Sequence, residues 1–452
     1  MKIVIEGAGE VGSHLARILS REANEISIID IDQKRLDKLS ADTDVITVQG
    51  TPSSIKVLKK AGVPDADLFI AVNPSVPQDV NIVSAILAKK LGAKKASVRL
   101  ENEEYLSPEN KLIFKEMGVD FMFFPEKIAA DEIAALLRNS SSTDSMDFAH
   151  GKLQVAVFKL DESSPLLDMK LGEFVKQTSS EALQFRIIAI SRGDHTIIPK
   201  VDTSFQFQDM VFVIAKREGM SLLMKYFGKT KVDIDKIMIY GGGVMAEQVT
   251  KVLARQVSFI KILENDKQRC LELSEILPSN VTVVHGDGRK SDILSEENIR
   301  SFDAFIGLTG SDEANVLACV VAKKFGIERT IAEVENVEYI RVAEDMGVDS
   351  VINKKLLTAA RIFKFTLSGK ARFVKYMSGT KAEVLEYTVP PGAAITKCTL
   401  KDMSFPRNAI IGGYIRGSET YIAVGDSLIE PYDRVAVFAM PEAVKEVDRF
   451  FK

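Results

Sequence analysis

The chain has 452 residues, 46% of them hydrophobic and 27% charged, with a formal net charge of −4. That length calls for several domains, because single cores rarely grow beyond about 250–300 residues. The slight acidity leaves no basic stripe for nucleic acid, and no apolar run reaches the roughly 20 residues that cross a bilayer.

In chain order, apolar strand-like runs at 3–6, 26–30, 45–48, 68–72, 96–100 and 121–124 alternate with amphipathic stretches such as 12–20 and 80–90. A strand at the very N-terminus predicts no signal peptide. The alternation predicts the α/β class, a Rossmann-like doubly wound parallel sheet with helices on both faces. Residues 138–145 are polar and turn-rich and read as a linker. The texture then changes to that of a small α+β module. There 187–190 leads into Arg192-Gly193, read first as a hairpin turn and second as a ligand contact, and 209–213 follows.

From residue 236 the series recurs, with strands expected at 237–240, 259–263, 281–284, 304–308, 330–334 and 350–352. A second module follows at 410–417, with its own Arg416-Gly417 turn, and at 433–437. Gly7 to Gly241 and Asp30 to Glu264 each span 234 residues; Arg192 to Arg416 and Asp209 to Asp433 each span 224. Self-similarity this extended is duplication. The expected layout is a Rossmann-like domain at 1–138, a small module at 146–228, a second Rossmann-like domain at 235–366 and a second module at 371–452.

Gly7-Ala8-Gly9-Glu10-Val11-Gly12 follows the first strand, and Gly241-Gly242-Gly243-Val244-Met245-Ala246 follows its repeat. The first two glycines permit a tight turn and close approach of a pyrophosphate, and the next helix offers it N-terminal amides and the positive dipole end. Gly12, replaced by Ala246 in the repeat, lets the helix lie against the sheet. Asp30 and Glu264 end their second strands where a carboxylate accepts bonds from ribose hydroxyls. That charge repels a 2′-phosphate and favours NAD over NADP, and it equally suits the ribose of ATP or ADP. Without a ligand, each loop is simply a tight strand–helix turn, a reading that has more force for the second loop.

Ligands sit at the carboxyl edge of such sheets, which nominates Arg99, Asn73-Pro74 and Thr309-Gly310. Thr51 and Asp287, after Gly50 and Gly286, are adenine-side candidates. Glu333 stands in the repeat where Arg99 stands in the first copy, so the two sites should differ in ligand or affinity. Nothing is left over for a substrate domain, which an NAD enzyme needs beside its cofactor. No tyrosine is followed four residues later by lysine, and no GxSxG, HExxH or GxxxxGK[ST] occurs. His14, just inside the first glycine-loop helix, reads as a packing or cap residue. The four histidines lack metal-ligand spacing, and the three distant cysteines fit a reducing compartment.

With its glycine fingerprint, Asp30, Gly50, Arg99, Asn102-Glu103-Glu104-Tyr105 and an Arg-Gly pair in each module, the chain resembles one family over essentially its full length. This is the TrkA-type peripheral subunit of Trk potassium-uptake systems, built from KTN (also called RCK) nucleotide-binding domains and TrkA-C modules. The domain order is the specific part. The resemblance implies a non-catalytic cytoplasmic regulator, peripheral on the inner face of the cell membrane, that binds NAD(H), with ATP or ADP more at home in the second site. It also implies a homotetramer or other symmetric ring beneath a membrane-embedded TrkH-type potassium-translocating subunit. Two departures stand out: Thr51 replaces a usual acidic residue, and Ala246 replaces the last fingerprint glycine. The alternatives are an NAD-dependent oxidoreductase, which would turn over NADH, and a nucleotide-responsive regulator of another transporter, which would co-purify with a different membrane protein.

Overall fold

The computed structural model describes residues 1–20, 24–73, 77–138, 144–148, 152–178, 183–193, 195–228, 233–366, 371–376, 380 and 382–452. The chain divides into two compact units: Met1–Ala129 with Asn353–Thr366, and Ala130–Ile352 with Leu367–Lys452.

The first unit is built on β1 (Lys2–Glu6), α1 (Glu10–Ser20), β2 (Glu25–Asp30), α2 (Gln33–Ser40), β3 (Ile46–Gln49), α3 (Ile55–Lys60), β4 (Leu68–Ala71), α4 (Gln78–Leu91), β5 (Lys95–Arg99), α5 (Pro108–Glu116) and β6 (Phe121–Phe123). The strands pair in parallel in the order β3-β2-β1-β4-β5-β6. The order reverses beside β1, which opens a crevice at the carboxyl edge. Ile3, Val4, Ile5 and all four residues of β4 are buried, as expected when helices cover both faces of a parallel sheet. Each strand falls within one residue of its expected bounds. Helix α6 (Pro125–Arg138) leaves this sheet and passes into the second unit at Ala130. It occupies the start of the expected linker, whose end, from Asp144, is already strand.

In the second unit, β7 (Asp144–Phe148), β8 (Leu153–Lys159), α7 (Leu171–Gln177), β9 (Phe185–Arg192), β10 (His195–Ile197), β11 (Met210–Lys216) and α8 (Arg217–Tyr226) form an antiparallel module of order β10-β9-β11-β8-β7. A second parallel sheet follows: β12 (Lys236–Tyr240), α9 (Val244–Leu253), β13 (Phe259–Glu264), α10 (Lys267–Ile276), β14 (Val281–His285), α11 (Ser291–Glu296), β15 (Ala304–Gly307), α12 (Asp312–Lys324), β16 (Arg329–Glu333), α13 (Val337–Asp345) and β17 (Ser350–Ile352). Its order, β14-β13-β12-β15-β16-β17, repeats that of the first sheet. The next helix, α14 (Lys354–Thr366), is capped by Asn353, whose Oδ1 accepts the Leu356 N–H at 2.9 Å. It belongs to the first unit, packs on α1 and buries Thr358, Ala359 and Ile362.

The last module has β18 (Ala371–Tyr376), β19 (Glu383–Thr388), β20 (Ala409–Arg416), β21 (Glu419–Ile422), β22 (Arg434–Ala439) and α15 (Val444–Phe450). Its order, β18-β19-β22-β20-β21, is the first module's read from the other edge. Both Arg-Gly pairs sit at hairpins, where Gly193 and Gly417 take φ of +58° and +59°. Each arginine also closes a fork. Arg192 Nε and Nη2 donate to Asp209 at 2.8 Å each, and Arg416 donates to Asp433 at 3.0 and 2.8 Å. The two modules share one apolar core, in which Phe148, Leu153, Ile188, Phe212 and Ile214 meet Val384, Ile415, Ile422 and Phe438. Gly412 lies at that seam: a β-carbon there would stand 2.9 Å from Ile214 Cδ1. No described helix is long and apolar enough to cross a membrane.

Candidate nucleotide-binding sites

The first glycine loop joins β1 to α1. Gly7 holds φ of +100°, and a β-carbon there would meet Asn73 Cα at 2.9 Å, so the turn requires glycine on both counts. Gly12 faces the loop itself, and its β-carbon would fall 1.8 Å from the Gly7 carbonyl oxygen. Ala8 and Gly12 are buried, Val11 is half-buried and Glu10 is exposed. In the second loop Gly241 takes φ of +104° against Leu308 and Thr309, and Gly242 packs on Leu273. Gly243 has open space where a side chain would project, which suits close approach by a ligand. Val244 is exposed and Met245 buried. Ala246 is fully buried, so the second loop accommodates the methyl that the first excludes.

Asp30 does more than wait for a ribose. Its Oδ2 accepts the Ala8 N–H at 2.7 Å and its Oδ1 the Asp32 N–H at 2.8 Å, with the side chain wholly shielded from solvent. It therefore clamps the loop, and a ribose reaches it only if the loop shifts. Glu264 repeats the clamp on Gly242 at 2.5 Å and Asp266 at 2.8 Å, yet stays partly exposed. The ribose-accepting position is thus more open in the second copy.

At the carboxyl edge, Arg99 is nearly buried. Its Nη1 lies 3.4 Å from Glu101 Oε1 and hydrogen-bonds to no acceptor among the described residues. Glu333, its counterpart, is also buried. Asn73 is buried, and its carbonyl accepts from Asn81 Nδ2 at 3.0 Å. Pro74 lies outside the described residues. Thr309 is held by Asn315, whose Oδ1 takes both the Thr309 N–H and hydroxyl at 2.8 and 2.7 Å, while Gly310 faces open space. Thr51 is exposed, with its hydroxyl 3.1 Å from Ser53 Oγ. Asp287 is already engaged, accepting from Tyr240 Oη at 3.0 Å and from Arg289 at 3.0 and 2.8 Å. That guanidinium holds its carboxyl well below the usual range. Asp287, an adenine-side candidate, is thus already paired within the protein.

Three positioning residues carried no local signal in the sequence. Asn81 and Asn315 are 234 residues apart and brace the loops after their fourth strands, so only the repeat spacing marks them. Glu6, immediately before Gly7, is completely buried. Burial pushes its carboxyl up to about 8, the Ser84 hydroxyl that donates to it opposes the shift, and Asp30 adds to it. Its counterpart is Tyr240.

The TrkA-N domain family matches residues 3–125 and 237–354, and the TrkA-C domain family matches 155–228. Over their full lengths, the chain is 33% identical to Trk system potassium uptake protein TrkA homolog 1 of Methanosarcina mazei. The chain belongs to the TrkA family. Among other TrkA proteins, that of Halomonas elongata is 30% identical across 100% of this chain and 99% of its own length. The TrkA fold recurs in the GsuK RCK domain crystal structure at a TM-score of 0.59 and 16% identity, covering 100% of this chain and 94% of that one. The GsuK channel bound to NAD gives 0.59 over 100% and 78%.

Proposed function

We propose that this chain is a non-catalytic regulatory subunit of potassium transport, binding NAD(H) and adenine nucleotides at its two glycine loops. The observation that carries this reading is the full-length match to proteins named for Trk potassium uptake, in a chain whose duplicated sheets each end in a clamped glycine loop. A GsuK channel of like fold is described as bound to NAD and another as bound to ADP. The first site, where Arg99 faces the edge, takes NAD(H) and also admits ATP, and the second, where Glu264 is open, takes ATP or ADP. Gly7, Gly9 and Gly12 with Gly241, Gly242 and Gly243 admit the phosphates, while Asp30 and Glu264 shape the loops and meet the ribose.

The subunit works in the cytoplasm as a symmetric ring against a membrane-embedded, TrkH-type potassium-translocating partner. Such a ring gates only if nucleotide binds its two shapes unequally. Deleting the gene should impair growth at low potassium. Wild type should rescue it, and a Gly7→Asp, Gly9→Asp double variant that still folds and oligomerises should not. Normal potassium uptake in the deletion strain, or sustained NADH consumption by the purified protein, would overturn the proposal.

A further inference from the structure

Helix α14 follows β17 in the chain but is part of the first unit, packed along α1. That placement sets the Lys355 ammonium against the carboxylate of Glu10, in an ion pair at the start of α1. The two partners differ in freedom. The Lys355 side chain is 14% exposed and that of Glu10 is 72% exposed. Partial burial also lowers the Lys355 pKa, so its charge gains from a close anion. One residue back, Lys354 pairs with Glu126 at 3.4 Å and helps fix the first turn of α14.

We propose that Lys355 is a phosphate-binding residue of the first nucleotide site, with Glu10 holding its charge in the unliganded state. This rests on the nucleotide reading above. Glu10 lies inside the fingerprint, where the N-terminal amides and dipole of α1 already favour an anion. A polyphosphate brought to Gly7 and Gly9 presents a denser negative charge at the same helix end. The exposed glutamate turns out to water at little cost, and the confined lysine stays to pair with the phosphate. Lys355 thereby selects for nucleotides with several phosphates and ties their charge to the chain segment that continues from β17. The repeat lacks the device. Val244 stands for Glu10 at the 234-residue spacing, and Glu126 precedes Lys355 by 229 residues, the spacing of Gly118 and Gly347.

The test is titration calorimetry of the full chain carrying Gly243→Asp, which closes the second loop, with ATP and adenosine as probes. Lys355→Gln should weaken ATP binding about tenfold, the usual scale for one charged hydrogen bond, and leave adenosine unchanged. Lys355→Arg should keep most of the ATP affinity. Glu10→Gln should raise it severalfold, and that gain should vanish when Lys355→Gln is also present. Unchanged ATP affinity in Lys355→Gln, while Gly9→Asp abolishes binding, overturns the proposal and leaves the nucleotide reading intact. ATP binding that survives Gly9→Asp overturns both. Should Lys355→Gln fail to fold, Glu10→Gln decides, and an ATP affinity equal to the parent's ends the proposal.

Discussion

Asp30 accepts the backbone N–H of Ala8 at 2.7 Å from a position closed to solvent. The acid of the fingerprint is therefore a structural part of its own loop before any nucleotide arrives. Glu264 holds Gly242 in the same way, but from a partly open position.

Removing the two acids should separate these roles. Asp30→Ala strips the acceptor from the Ala8 and Asp32 N–H groups, and a lost bond to a charged acceptor costs about 1.5–3 kcal/mol. Its thermal midpoint should fall clearly, and that of Glu264→Ala should fall less. Scanning calorimetry on the full chain reads both, and equal midpoints for Asp30→Ala and wild type would exclude the clamp.

The Gly12 β-carbon position, 1.8 Å from the Gly7 oxygen, leaves no room for a methyl. Gly12→Ala should displace the loop and cut nucleotide affinity at the first site at least about tenfold, as misplaced contacts in a preorganised site do. Ala246→Gly should leave the second site working and cost about 1–2 kcal/mol of stability, from helix propensity and the loss of one buried methyl. Equal loss of binding in both variants would contradict the contrast between the loops.

Glu6 makes stability depend on pH. Its folded pKa of about 8 lies above its ordinary 4.5, so between these values the folded state retains a proton that the unfolded state has released. Stability contributed by this residue is therefore full below about 4.5 and declines as pH rises toward 8. Glu6→Gln should flatten that decline and leave the acid side unaffected. Denaturant titrations at pH 5, 6.5 and 8 measure it, and identical slopes for the two proteins would contradict the assignment.

The forks of the small modules should respond alike. Asp209 and Asp433 are both buried and held by a two-pronged arginine. Truncating either arginine leaves a buried carboxylate short of its partner, a change costing about 3 kcal/mol. Arg192→Ala and Arg416→Ala should lower the unfolding midpoint in urea by comparable amounts. Loss from one but not the other would mean that the repeats have stopped sharing this support.

Strand positions were legible because a strand covered on both faces must be apolar throughout, as in Leu68-Phe69-Ile70-Ala71, and because two copies fix one register. The glycine loops were legible because steric limits on φ leave few residues for Gly7 and Gly241. The placement of α14 in the first unit was not, since nothing in the residues of a helix names the unit it will join. The state of Asp287 was hidden for a similar reason: Tyr240 reaches it from β12, and Arg289, two residues on, turns back to it only in the folded loop. Glu6 looks like the end of an ordinary strand until the depth of burial around it is known.

The seam around Gly412 joins two modules that occupy one polypeptide. Their association therefore has no dependence on protein concentration: the linkage supplies an effective concentration of its own. A half-chain ending after the first module would carry an uncovered apolar sheet and could bury it only by finding a second molecule. Fusion also releases the halves from having to be identical, as they must be in a two-fold pair of separate chains. One copy keeps Arg99 and Glu10 while the other carries Glu333 and Val244, so a single chain presents two different loop edges in a fixed one-to-one ratio.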